Sequence, residues 1–225
     1  RFLIMADYLE ADPSELLESP NIGFKLPEGL TVEEIDRIIA TVDRSKAEGQ
    51  RNRAILETLY SCGLRVSELV NLKLSDLYFD EGFIKVEGKG NKQRLIPISP
   101  RAINEIKLYF TDRNQIEVKS GHEDFVFISL RRGKRLSRIM IFHMIKELAQ
   151  QAGITKNISP HTFRHSFATH LLEGGANLRA IQCMLGHESI ATTEIYTHID
   201  RNVLRSEIIE HHPRNIKYRK EKESL

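Results

Sequence analysis

The chain has 225 residues, 40% of them hydrophobic and 28% charged, which is ordinary globular composition and enough length for one large domain or two small ones. It has no apolar run of membrane-spanning length. Its opening, Arg1 to Met5, is interrupted too soon by Asp7 and Glu10 to be a secretory signal, so a cytoplasmic protein is expected. Formal net charge is only +2, but it is unevenly placed: residues 1–50 hold 11 acidic and 5 basic residues, and the rest hold 20 acidic and 28 basic. A basic body suits a phosphate-bearing partner, although charge alone describes a solvated surface equally well. Cys62 and Cys183 are far apart and match no metal or redox spacing, so both are read as reduced, buried thiols.

Residues 1–28 read as a helix end and a connector, broken by Asp12-Pro13-Ser14 and by Leu26-Pro27. Thr31-Val32-Glu33-Glu34 is a capping-box signature that predicts a helix from Val32 to Thr41. A second helix is expected from Gln50 to Cys62, with Gly63 as its left-handed stop, and a short third one restarts at Ser67. Arg65 then falls at a helix–helix junction. Phe83–Glu87 and Arg94–Ile98 alternate around Gly88-Lys89-Gly90-Asn91, the pattern of a β-hairpin with a glycine-rich turn. Ser99-Pro100 opens a helix to about Asn114, and Phe125–Ile128 reads as a short strand followed by a basic turn. Ser137, Ser159-Pro160 and Asn177 each open a further helix, stopped before Gly153, at Gly174-Gly175 and at Gly186 respectively. More helix is expected around Tyr196 and from Arg201 to His211. The expectation is a mainly α domain with a small antiparallel sheet, an α+β fold.

Six residues in this frame carry chemistry: Arg65, Lys89, His161, Arg164, His187 and Tyr196. Two arginines can hold a phosphate, a lysine and two histidines can move protons, and a tyrosine can attack phosphorus. Such a set requires no metal and no cofactor. His161 and Arg164 stand three apart in the first turn of a helix, so they share a face at an end that attracts anions. His161 and His165 have zinc-type spacing, but Thr162 occupies the position of the metalloprotease glutamate and no third ligand is evident. Each residue also has a plainer use. Arg65 could bridge to Glu68, Lys89 could be an exposed turn lysine, and Tyr196 could simply pack on a helix.

The ordered set weighs against those separate uses. Thr58 to Leu69, Gly88 to Arg94, Ser159 to His170, Leu185-Gly186-His187 and Ile195-Tyr196-Thr197-His198 together resemble the tyrosine recombinases of the phage-integrase family, most of all their Xer branch. The resemblance extends over about residues 10 to 213. It implies a tyrosine recombinase catalytic-domain fold over residues 29–213, preceded by the end of a truncated core-binding domain and connector (1–28). A basic, flexible tail (214–225) is expected to follow. It further implies that Arg65 and Arg164 clamp the scissile phosphate, that Tyr196 forms a 3′-phosphotyrosine, that Lys89 is general acid for the leaving 5′-oxygen, and that His161 and His187 assist the transition state. Lys92 and Arg94 would touch backbone phosphates, and Arg131 and Arg132, with Lys134 and Arg138, form a second basic cluster suited to DNA or to solvent.

The partners implied are a double-stranded DNA recombination site, a homo- or hetero-tetramer with a related recombinase, and an FtsK-like translocase, with no membrane. In relatives the last helix packs into a neighbouring protomer, and residues 201–213 would be that element. Relatives also carry an N-terminal helical domain that closes around DNA. The chain as given is thus expected to be a fragment that binds DNA weakly by itself. The expected activity is site-specific recombination, with resolution of chromosome dimers at a dif-like site. A mobile-element integrase, a type IB topoisomerase-like enzyme and a DNA-binding protein that no longer cuts remain as competing readings.

Overall fold

The computed structural model describes residues 29–186 and 201–216. Eight α-helices and one three-stranded sheet are described: α1 (Val32–Ala40), α2 (Gly49–Cys62), α3 (Val66–Asn71), β1 (Leu77–Tyr78), β2 (Phe83–Glu87), β3 (Gln93–Pro97), α4 (Pro100–Arg113), α5 (Arg138–Gln151), α6 (Pro160–Glu173), α7 (Leu178–Leu185) and α8 (Arg201–His211). The mainly helical architecture with a small antiparallel sheet is the one expected.

Local signals in the sequence set most helix starts. Thr31 and Glu34 form a reciprocal capping box on α1, with Glu34 N–H donating to Thr31 Oγ1 at 3.2 Å and Thr31 N–H to Glu34 Oε2 at 2.8 Å. Ser99 and Ser137 accept from the backbone N–H of Ala102 and Met140, so side-chain oxygens satisfy donors that the helix leaves open. α2 is the buried axis. All its residues from Ala54 to Cys62 are buried, and it packs against α4 and α6. Its polar residues are bonded there. Thr58 Oγ1 donates to Ala54 O at 2.7 Å, and Ser61 Oγ accepts from Ser99 N–H at 2.9 Å, pinning the start of α4 to α2. Cys62 lies within this core, where burial pushes its thiol up to about 12; Cys183 is only half-buried, and burial raises it to about 11.

The sheet order is β1-β2-β3, all antiparallel, with Glu87 opposite Gln93 and Phe83 opposite Pro97. The connecting loop is a single 3₁₀ turn over Lys89–Asn91 in which Gly90 (φ 73°) and Asn91 (φ 56°) are both left-handed. A Cβ on Gly90 would meet nothing within 4 Å, so glycine is favoured there by the backbone angle rather than by crowding within the fold.

Two expectations need correction. Phe125–Ile128 is not a strand: it makes only isolated bridges, Lys73 with Phe125 and Ile128 with Arg135. Val126, Phe127 and Ile128 are buried, but their partners come from different elements. Val126 N–H donates to Leu72 O and Ile128 N–H to the Tyr109 hydroxyl, so no one neighbour offers a continuous ladder. The second concerns the boundary after residue 213. A further helical turn follows α8, and Arg214 and Asn215 are buried, not part of a flexible tail. Arg214 Nη2 donates to Glu57 Oε1 at 2.6 Å and its Nη1 to Asp36 Oδ1 at 2.5 Å, because Glu57 lies in the core and requires a cation. His212 sits beside them, fully buried against Tyr60 and Phe167. α8 buries Leu204 and Ile208 and packs on α6, α7 and β3 of its own domain.

Candidate active site

The site forms where the C-terminus of α7 meets the starts of α3 and α6. Gly186 caps α7 in the left-handed conformation (φ 65°), which turns the last carbonyls of the helix toward the two neighbouring elements. Three successive carbonyl oxygens are each taken by a different arginine. Arg94 Nε donates to Met184 O at 2.9 Å, Arg164 Nη2 to Leu185 O at 2.5 Å and Arg65 Nη2 to Gly186 O at 3.3 Å. Cations are favoured at a helix C-terminus, where the peptide dipoles leave partial negative charge. The sequence-predicted pair Arg65 and Arg164 is thereby brought together, although 99 positions of chain separate them.

Arg164 is buried on α6, and its other arm donates to Gly63 O at 2.7 Å, at the end of α2. Burial, and secondly the nearby Arg65 guanidinium, pulls its pKa down to about 10, still well above neutral. Among the described residues, the charges acting on Arg164 are Arg65, Arg94 and one carboxylate, Glu68. Three guanidiniums against one carboxylate leave a local positive excess at a preorganised fork, which is what an incoming phosphate requires.

Glu68 was considered from sequence only as a bridge partner for Arg65. The structure gives it a larger part. Its Oε2 accepts from Arg65 N–H at 2.8 Å and its Oε1 from Arg65 Nη1 at 3.0 Å. Both oxygens also accept from Arg94, at 2.9 and 3.0 Å. Burial alone would raise the Glu68 carboxyl, but the bonds from Arg94 and Arg65 outweigh it and hold the pKa below its ordinary value. The signal in the sequence was its spacing: a glutamate three residues after the helix-starting Arg65 is placed to reach back to that residue's backbone.

The remaining predicted residues divide. His161 is exposed on the first turn of α6, one turn from Arg164. Lys89 begins the turn of the hairpin, and Lys92 is exposed at the end of the same turn. Arg94, expected to touch a backbone phosphate, has its guanidinium turned inward onto Glu68 and Met184. His187 follows Gly186 directly but, like Tyr196, lies outside the described residues. Arg132, Lys134 and Arg138 line a cleft of about 450 Å³ with Ser67, Asn71 and Arg135, so the second basic cluster adjoins the helix that begins at Arg65. Arg131 does not line that cleft; with Arg132, which borders both, it lines a second depression that contains Asp112 and Glu117. Among the described residues no group of three or more His, Cys, Asp or Glu could hold a metal ion.

Comparison with known proteins shows the family. Residues 28–202 match the Phage integrase family. The chain is 45% identical over 215 residues to the tyrosine recombinase XerD of Staphylococcus saprophyticus and 42% identical over 214 residues to that of Staphylococcus haemolyticus, in each case covering 95% of this chain and 72% of the relative. The crystal structure of the XerA recombinase superposes with a TM-score of 0.66 at 35% identity, covering 94% of this chain and 72% of that one. The XerH site-specific recombinase bound to its difH substrate gives 0.65 at 29% identity, over 78% of this chain and 51% of that one. The chain therefore belongs to the phage integrase family, the tyrosine recombinases, enzymes that cut and rejoin DNA strands.

Proposed function

We propose that the protein recombines a dif-like chromosomal site as one subunit of a tetramer with a related recombinase, and that Arg65, Lys89, His161, Arg164, His187 and Tyr196 carry the chemistry. The convergence of Arg65 and Arg164 on Gly186 and Leu185 is the observation that supports it most. The two guanidiniums engage the non-bridging oxygens of the scissile phosphate and neutralise the charge that builds in the pentacoordinate transition state. The Tyr196 hydroxyl attacks phosphorus and gives up its proton to His161. A bond forms from the phenol oxygen to phosphorus, the bond from phosphorus to the 5′-oxygen breaks, and Lys89 protonates the departing oxygen. His161 and His187 assist by proton transfer and hydrogen bonding, the work that imidazole suits near neutral pH. The phosphotyrosine keeps the energy of the original linkage, so the 5′-hydroxyl of a partner strand can attack it and restore DNA without hydrolysis.

Kinship with XerD proteins at 42–45% identity over most of the chain favours the chromosomal role over a mobile-element one. An FtsK-like translocase is the partner expected to control such a reaction. The test is a nicked suicide duplex carrying a dif-type site. The unsubstituted protein should accumulate a covalent DNA adduct, and Tyr196→Phe should bind the duplex equally well but form none. An adduct in undiminished yield with Tyr196→Phe would remove Tyr196 from the mechanism.

A further inference from the structure

We infer that Arg94 is a positioning residue for strand cleavage: through Glu68 it holds the Arg65 guanidinium in register for the scissile phosphate, and it does not itself bind DNA. The inference rests on the phosphodiester chemistry proposed above. Its basis is that one side chain ties its own strand to two other elements. Arg94 leaves β3 and bridges both oxygens of Glu68 on α3 with its two terminal nitrogens, while Nε reaches Met184 O at the end of α7. Glu68 is 3% exposed, so it cannot turn to water, and the same carboxylate fixes both the backbone and the guanidinium of Arg65.

The packing is equally constrained. A Cβ on Gly186 would stand 3.2 Å from Arg94 Cζ and Nε, and one on Gly88 would stand 3.4 Å from Arg94 Nη1. Arg94 thus fills the space between the turn that carries Lys89, the helix start that carries Arg65 and the corner that leads into His187. Lysine cannot reproduce this, because a single ammonium does not span both carboxylate oxygens and a backbone carbonyl at once.

The consequence is specific to charge. If Arg94 acts by aiming Arg65 at a phosphate oxygen, its loss should matter only while that oxygen carries charge. A methylphosphonate, in which a methyl group replaces one non-bridging oxygen, removes the charge and with it much of the need for the guanidinium. Arg94→Gln and Arg94→Lys should slow cleavage of a nicked dif-type phosphodiester duplex roughly 100-fold, the scale of a small misplacement of a catalytic group. The same variants should cleave the methylphosphonate duplex within roughly threefold of the unsubstituted protein. DNA affinity and its dependence on salt should stay unchanged.

Equal losses on both substrates would reduce Arg94 to a purely structural role and overturn the inference. A salt dependence weakened by about one ion per Arg94 removed would make it a direct phosphate contact, and would overturn it too. So would unimpaired cleavage of the phosphodiester by both variants. Failure of the unsubstituted protein to form an adduct on either duplex would instead sink the functional reading, and the inference with it.

Discussion

The Phe167 ring is packed against Gly63: a Cβ added to that glycine would fall 2.4 Å from the ring, and the glycine itself is left-handed (φ 57°). Two independent constraints meet at one residue, and its carbonyl also holds Arg164. Gly63→Ala would both strain the backbone and overpack the core. It should cost about 2–4 kcal/mol, a fall in Tm of roughly 5–15 °C. Cleavage should fall further than stability explains, because the Arg164 anchor moves. Thermal denaturation and single-turnover cleavage below the new Tm check this, and a variant with unchanged Tm would contradict the packing described.

His212 gives the fold a dependence on pH. It is fully buried. Its Nε2–H donates to Tyr60 O at 3.1 Å, while Nδ1 accepts from Arg214 N–H at 3.3 Å, the bonding of a neutral ring. Burial, with a smaller push from Arg214 and His170, lowers its pKa from 6.5 to about 3. Between those values the unfolded chain binds a proton that the folded chain does not, so stability falls as pH drops below 6.5 and levels off near 3. The loss from pH 6.5 to 5 should be about 2 kcal/mol. Denaturant titrations should find a shallower pH slope over that range in His212→Gln, whatever its stability at neutral pH. An unchanged slope would assign the effect to other groups.

Arg214 closes an ionic network on Glu57, whose carboxylate is completely buried. Arg214→Ala leaves that carboxylate with one cation fewer in a low-dielectric core. Unfolding by denaturant should show a loss of about 3–5 kcal/mol, the range for breaking a buried pair. A loss under about 0.5 kcal/mol, the level of ordinary surface substitutions, would mean that the segment after α8 contributes nothing to the fold.

The basic cleft predicts which surface cations meet DNA. Arg132 and Arg138 both line it, beside Ser67 on α3; Arg132 also borders the depression containing Asp112 and Glu117, which Arg131 lines without reaching the cleft. Arg132→Ala and Arg138→Ala should each reduce the slope of log affinity against log salt by about one on duplex DNA. Arg131→Ala should change it much less. Equal effects at all three positions would show that the cleft has no special part in binding.

Local chemistry made much of this legible. Thr31 with Glu34, Gly63, Ser99-Pro100 and Ser137 act on their immediate neighbours, so the helix ends they imply recur in the structure within a residue or so. The pairing of Arg65 with Arg164 was reached through resemblance, since nothing local joins residues so far apart. Where side-chain direction depends on distant partners, the sequence was silent. Arg94 reads as one more cation on a basic hairpin until Glu68 and Met184 are seen beneath it. Arg214 reads as part of a mixed tail until Glu57 is found to be buried. β1 escaped notice because two residues carry no alternation, and Phe125–Ile128 misled because a buried irregular segment and a buried strand share one apolar pattern.

The most direct test is to map the covalent bond. After reaction of the unsubstituted protein with a nicked dif-type duplex, proteolysis and mass spectrometry should locate a 3′-linked nucleotide on Tyr196, and Arg65→Ala or Arg164→Ala should lower the yield of that peptide at least ~100-fold. A nucleotide found on any other residue, or a yield indifferent to both arginines, would contradict the account.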